Sequence, residues 1–141
     1  MGQAREVMDR LTEAMIRKDL DAVREVYAPD AVGESPDAGT LQGAEAIAGY
    51  LAGFTEAFPD FTYELSHGHE CGETAIDEGH WIGTNTGPLP MPDGATVPAT
   101  GRGVRVRSCD VMTVRDGRAV SHRFYYDQME LLEQLGLAQE A

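Results

Sequence analysis

SCDVMTVRDGRAVSHRFYYDQMELLEQL, residues 108–135, is the stretch on which the fold turns. It reads as a β-hairpin running into a short capped helix. Val104, Val106, Ser108, Asp110, Met112 and Val114 alternate on one arm, and Val120, His122, Phe124 and Tyr126 on the other. A strand sends every second side chain to one face. Asp110 and His122 therefore occupy positions where apolar residues belong. Loss of hydration favours the protonated form of such an acid unless a cation offsets it, so this pair is a solved packing problem or a seat of chemistry.

The turn sets how the arms meet. A two-residue Asp116-Gly117 turn pairs Val114 with Ala119 and Asp110 with Arg123. A three-residue loop with Gly117 left-handed pairs Met112 with Val120, Asp110 with His122 and Ser108 with Phe124. Only the second register keeps the apolar set on one side, so it is the expected one, with Asp110 and His122 as direct cross-strand neighbours. Beyond the hairpin, Asp127 and Glu130 match a capping box, and Gly136 is placed to stop the helix.

Working back from this stretch, helices come first. Ala4, Val7, Met8, Leu11, Ala14 and Met15 repeat at helical spacing over residues 3–18. Asp21 is placed to cap a second helix that buries Val23, Val26 and Tyr27 and stops at Pro29. Residues 31–35 suggest a short strand before a turn-rich segment. A third helix is expected from about Gly43 to Phe58. Strands are expected near 61–67, 74–84, 103–114 and 119–126. Between the middle two lies a segment rich in proline and glycine, residues 85–101. It reads as a lid over a pocket, a rigid connector or a dimer contact. Helices followed by an antiparallel meander make one α+β domain over residues 1–141.

Composition narrows the partners. The 141 residues carry 24 acidic and 11 basic side chains, a net charge of −13. That leaves no basic patch to neutralise phosphates and disfavours nucleic acid and anionic membrane surfaces. No apolar run approaches membrane-spanning length. Cys71 and Cys109 lack metal spacing and are expected to be free thiols in a reducing cytoplasm. His67, His69, Glu70 and Glu73 sit at a strand end without a fixed scaffold and read as a solvated turn; no metal is expected.

The order of local motifs resembles the nuclear-transport-factor-like superfamily, and within it the SnoaL-like polyketide cyclases and ester cyclases. The resemblance rests on Asp19-Leu20-Asp21 before Tyr27-Ala28-Pro29-Asp30-Ala31, on Gly43-Ala44-Glu45-Ala46-Ile47, and on Phe58-Pro59-Asp60. It continues through Gly83-Thr84-Asn85-Thr86-Gly87, Thr100-Gly101-Arg102, the Val114–Arg118 turn and the 126–137 tail. It implies a cone-shaped α+β barrel: N-terminal helices packed on a curved, mostly antiparallel sheet around a pocket, and a homodimer. It also implies cofactor-independent acid/base chemistry on a hydrophobic, carbonyl-containing small molecule. The cyclases' catalytic aspartate aligns with Phe124. The base and oxyanion-hole tyrosine of the related ketosteroid isomerases align near Ser35 and Leu11, and their second acid with Asp110.

Taken together, Asp110 is the expected acid/base and His122 its partner. His80, Glu34, Tyr50, Phe54, Tyr63, Met112 and Phe124 are the expected pocket lining. His80 and Trp81 are adjacent, so only one faces the cavity, and the reading leans to His80. Epoxide opening, or ligand binding without turnover, are the alternatives.

Overall fold

The computed structural model describes residues 2–91 and 94–138. Helix α1 (Gln3–Arg17) buries the predicted stripe from Ala4 to Met15 and ends at Lys18, which takes the left-handed conformation. Helix α2 (Leu20–Val26) is capped by Asp19, whose side chain accepts from the Ala22 amide; Asp21, the residue expected in that role, lies in the first turn. The chain leaves α2 earlier than expected. Strand β1 (Tyr27–Ser35) already begins at Tyr27, and Pro29 lies within it. The turn-rich segment then contains a short strand, β2 (Gly39–Gln42), before α3 (Ala44–Ala57).

Strands β3 (Thr62–Cys71) and β4 (Thr74–Thr84) form a hairpin. A small ribbon, β5 (Leu89–Pro90) with β6 (Thr96–Val97), structures the long connection. Strands β7 (Gly103–Arg115) and β8 (Arg118–Tyr126) lead into α4 (Gln128–Leu135). The main sheet has six strands in the order β2-β1-β8-β7-β4-β3. Only the β1–β8 pair is parallel. Register shifts interrupt β1–β8, β3–β4 and β7–β8, and such bulges bend and twist the strands that carry them. The helices pack on the concave side. One core joins α1, α2 and α3 to β7 and β8; a second gathers Phe58, Trp81, Leu131 and Leu135. Among the described residues no helix is long and apolar enough to cross a membrane.

The β7–β8 hairpin differs from expectation in an instructive way. Its turn has two residues, Asp116 (φ +52°) and Gly117 (φ +79°), the pair of positive φ values of a type I′ turn. Val114 therefore faces Ala119. A bulge at Val120 then shifts the register, so Met112 pairs with His122 and Asp110 with Phe124. The extra residue sits in the strand rather than the loop. The apolar set stays on one face, and Asp110 and His122 become diagonal neighbours on that face instead of direct partners.

Asp127 caps α4 as predicted, accepting from the Glu130 amide at 3.1 Å. Glu130 does not complete a reciprocal box. Its carboxylate accepts from the Arg107 amide and guanidinium, at 3.1 and 3.0 Å.

Candidate functional site

The sheet and helices α1 and α3 line a partly open inner chamber of about 90 Å³. Its greasy wall comes from Met8, Leu11 and Met15 of α1, Leu51 and Phe54 of α3, and Phe61, Trp81 and Phe124. Its polar side is built on the sheet. Asp77 of β4, Ser108 and Asp110 of β7, and His122 of β8 converge there with Tyr63 of β3. Asp77 and Asp110 are direct cross-strand partners.

His122 is the pivot. Its side chain is only 2% exposed, whereas the Asp110 side chain keeps 22%. The imidazole is thus fixed in the wall while the carboxyl retains a free aspect toward the chamber. His122 Nε2 lies 3.1 Å from Asp110 Oδ1, and Nδ1 lies 2.7 Å from the Tyr27 hydroxyl. Complete burial pushes the Tyr27 phenol well above its ordinary value, with the Asp110 charge adding to the effect. A phenol so strongly held in its neutral form keeps a proton to donate. Tyr27 O–H donating to Nδ1 leaves the proton of neutral imidazole on Nε2, aimed at Asp110. Phe124 stacks on the imidazole, ring centroids 3.7 Å apart, and fixes its plane.

The second carboxyl is differently supported. Arg5, from the first turns of α1, brings Nη2 to 2.7 Å from Asp77 Oδ1 and 2.8 Å from Asp9. Burial raises the Asp77 carboxyl above its usual value, and the Asp110 charge adds to this, while Arg5 opposes both. The Ser108 and Tyr63 hydroxyls are buried and interact with each other, but neither makes a well-directed hydrogen bond among the described residues. Gly79 makes room for Tyr63. A β-carbon at Gly79 would lie 2.2 Å from the Glu64 carbonyl and 2.9 Å from the Tyr63 hydroxyl, so the Tyr63 side chain extends across β4 only because no side chain stands there.

Asp110, His122, Tyr50, Phe54, Tyr63 and Phe124 all line the chamber. Three expected lining residues do not. Strand β4 buries Asp77, Gly79 and Trp81 on one side, which leaves His80 on the convex face, paired beside Glu64 and Arg107; Trp81 takes the pocket position. Glu34 is exposed on β1 beside Thr40 of β2. Met112 is fully buried in the core, behind the chamber wall.

Asp77, Arg5 and Tyr27 were missed. Asp77 shares its strand face with Ala75 and Trp81, so period-two counting finds it once that face is known to lie inward. Tyr27 and Arg5 reach the site from distant elements and leave no local signal. Cys71 and Cys109 are both free thiols.

The arrangement offers one carboxyl open to an apolar chamber, an imidazole held in one tautomer against it, and a second carboxyl across the strand. That set can accept a proton at one point and return it at another.

A family model described as a SnoaL-like domain matches residues 8–122. No curated protein matches the chain significantly in sequence. Among solved structures, IdmH from Streptomyces antibioticus, a candidate polyketide cyclase, is 30% identical with a TM-score of 0.80, covering 96% of this chain and 99% of its own. A candidate SnoaL-like polyketide cyclase from Jannaschia sp. CCS1 superposes with a TM-score of 0.84 at 21% identity, covering 97% and 94%. An epoxide hydrolase of the LEH-like type from M. tuberculosis superposes with a TM-score of 0.71 at 19% identity, covering 94% and 89%. The last two likenesses speak to fold alone.

Proposed function

For a chain that belongs to the SnoaL-like domain family, we propose a cyclase- or isomerase-type enzyme in which Asp110 moves a proton at a carbon next to a carbonyl group. The substrate is a hydrophobic, polyketide-like small molecule, and no cofactor takes part. The Asp110 carboxylate removes the proton and leaves an enolate. In a ring closure the enolate carbon bonds to a second carbonyl carbon, and protonated Asp110 returns the proton to the new alkoxide. In an isomerisation the proton returns to a different carbon. His122 orients the carboxyl and donates from Nε2. A positioned acid/base supplies about 10²–10⁴-fold, so the reading requires an activated substrate.

The observation that carries this reading is the 3.1 Å contact between a fully buried imidazole and a carboxyl that faces an apolar chamber. The test is hydrogen exchange in D₂O. Incubation with 2-tetralone or ethyl benzoylacetate, followed by proton NMR, is expected to show wash-out of the hydrogens next to the carbonyl faster than in buffer. Exchange at the buffer rate across such a panel contradicts the proposal.

Epoxide opening is the second reading. It draws on the Arg5–Asp77 pair directly across from Asp110, which supplies a further carboxyl and cation. Hydrolysis of styrene oxide without exchange of ketones would favour it. Binding of such ketones with neither reaction would favour a ligand-binding protein, a reading that draws on the resemblance, which aligns Phe124 with the cyclases' aspartate. On the main reading the protein is a cytoplasmic homodimer joined through the convex sheet face, where Ile76, Ile82 and Val111 are half-buried. Light scattering at the mass of a single chain would remove the dimer.

A further inference from the structure

Next to the inner chamber lies a larger hollow of about 650 Å³, between α3, α4, the β5 strand and the Asp37-Ala38 turn. Tyr50, Phe54 and Tyr126 belong to the walls of both spaces. They form an aromatic partition, with Tyr50 and Tyr126 each edge-on to Phe54 at centroid distances of 5.2 and 6.0 Å. Polar contacts around Asp37 latch it, and the Tyr126 hydroxyl interacts with both Asp37 and the Tyr50 hydroxyl. The Tyr50 hydroxyl donates to Asp37 Oδ1 at 2.7 Å, and the same oxygen accepts from Ser35 Oγ at 3.0 Å. Asp37 thereby presents its carboxyl group on the wall of an otherwise mostly apolar vestibule.

Size gives the second space a use. An apolar cavity of about 150 Å³ holds one benzene. At about 90 Å³ the inner chamber falls short of even one ring, while the vestibule lies within the range of about 300–1,000 Å³ usual for ligand pockets. A ring-bearing molecule that reaches Asp110 extends beyond the inner chamber, and the vestibule across the partition has room for the remainder.

We propose that the vestibule is a second subsite for the remainder of an elongated, mostly apolar ligand, and that Asp37 receives a hydroxyl or amino group on it in exchange for the Tyr50 hydroxyl. Tyr50 and Asp37 are then specificity-determining residues. The inference rests on the reading that the inner chamber is the reaction site, but it is tested by binding alone.

Trp81 is the single tryptophan and lines the inner chamber, so quenching of its emission reports occupancy there. The probes are acetophenone, 4-hexylacetophenone and 4-(6-hydroxyhexyl)acetophenone. The hexyl tail is expected to tighten binding about tenfold or more over acetophenone, and the terminal hydroxyl about tenfold further through its bond to a carboxylate. Asp37→Ala, or Asp37→Asn, removes the hydroxyl preference and keeps the gain from the tail. Equal Kd for all three probes overturns the proposal, as does a hydroxyl preference that survives both Asp37 substitutions. The probe series on the unaltered protein decides the first point whether or not the variants fold. Asp110→Asn keeps the preference, so a failed catalytic reading and a failed subsite give different results.

Discussion

Asn85 and the Asp110 cluster are both polar centres buried in a small protein, and they are finished to different degrees. Asn85 is fully buried at the base of the long connection. Its side-chain amide donates to the carbonyls of Ala57 and Gly87 at 3.1 and 3.0 Å, and its carbonyl accepts from the Thr100 amide and hydroxyl at 2.8 and 3.0 Å. Every bond this side chain can make in that setting is made, and the result ties both ends of the connection to the end of α3. In the chamber, by contrast, Ser108 and Tyr63 lack well-directed partners and Asp110 keeps an open aspect. Saturation marks a group that holds the fold. Unfilled capacity inside a cavity marks one that waits for a ligand.

The largest expected effect on stability comes from breaking the saturated centre. Asn85→Ala leaves the Thr100 amide and the Gly87 carbonyl without their partner, each at about 1–3 kcal/mol, while the Ala57 carbonyl keeps the Gly87 amide. Urea denaturation is expected to show a loss of about 3 kcal/mol or more. A loss under about 0.5 kcal/mol would erase the contrast.

Tyr27→Phe stands between the two centres. It removes the donor that fixes the His122 tautomer. Stability should fall by about 1–2 kcal/mol and ketone exchange by roughly tenfold, read from the same denaturation curves and from NMR. An unchanged exchange rate would strip Tyr27 of its orienting role.

Ser108→Ala sharpens the comparison from the other side. A buried hydroxyl without a well-made bond contributes little, so stability should stay within about 0.5 kcal/mol of the parent or rise. A loss above about 1 kcal/mol would reveal Ser108 as part of the scaffold.

The smallest expected effect is a pH trend. The Asp77 carboxyl is raised above the ordinary 3.8 by burial. The folded state therefore binds this proton more tightly than the unfolded chain. The contribution of Asp77 to stability is greatest below the ordinary value and shrinks as pH rises through the folded value. Stability of the parent minus that of Asp77→Asn should fall as pH rises from below the ordinary carboxylate value through the raised one. A difference that grows with pH would mean that Arg5 dominates the site.

These contrasts also separate what sequence can express from what it cannot. Period-two alternation put Asp110 and His122 on one inner face, and that survived a wrong turn length because the Val120 bulge restores the parity that a longer loop would have supplied. Alternation was silent for β4, which carries Ile76 and Ile82 on one face and Ala75 and Trp81 on the other, so His80 was set in the pocket where Trp81 stands. Glu34 was misplaced because β1 begins seven residues after α2 does and runs beside β2, whose existence the turn-rich segment concealed. Arg5 and Tyr27 meet the site across sequence separations that no local pattern encodes. The order of the main helices and strands, in contrast, was written in periodicity and turn residues, and it stands even though Asp19 rather than Asp21 caps α2 and Pro29 lies inside β1.

The most direct test of the account pairs two readings on one variant, Asp110→Asn. The carboxamide keeps the shape of the side chain and loses its ability to accept and return a proton. Ketone hydrogen exchange should fall by about 10²–10⁴-fold while the urea midpoint moves little. A variant that exchanges at the parent's rate with its fold intact would contradict the assignment of Asp110 as the acid/base.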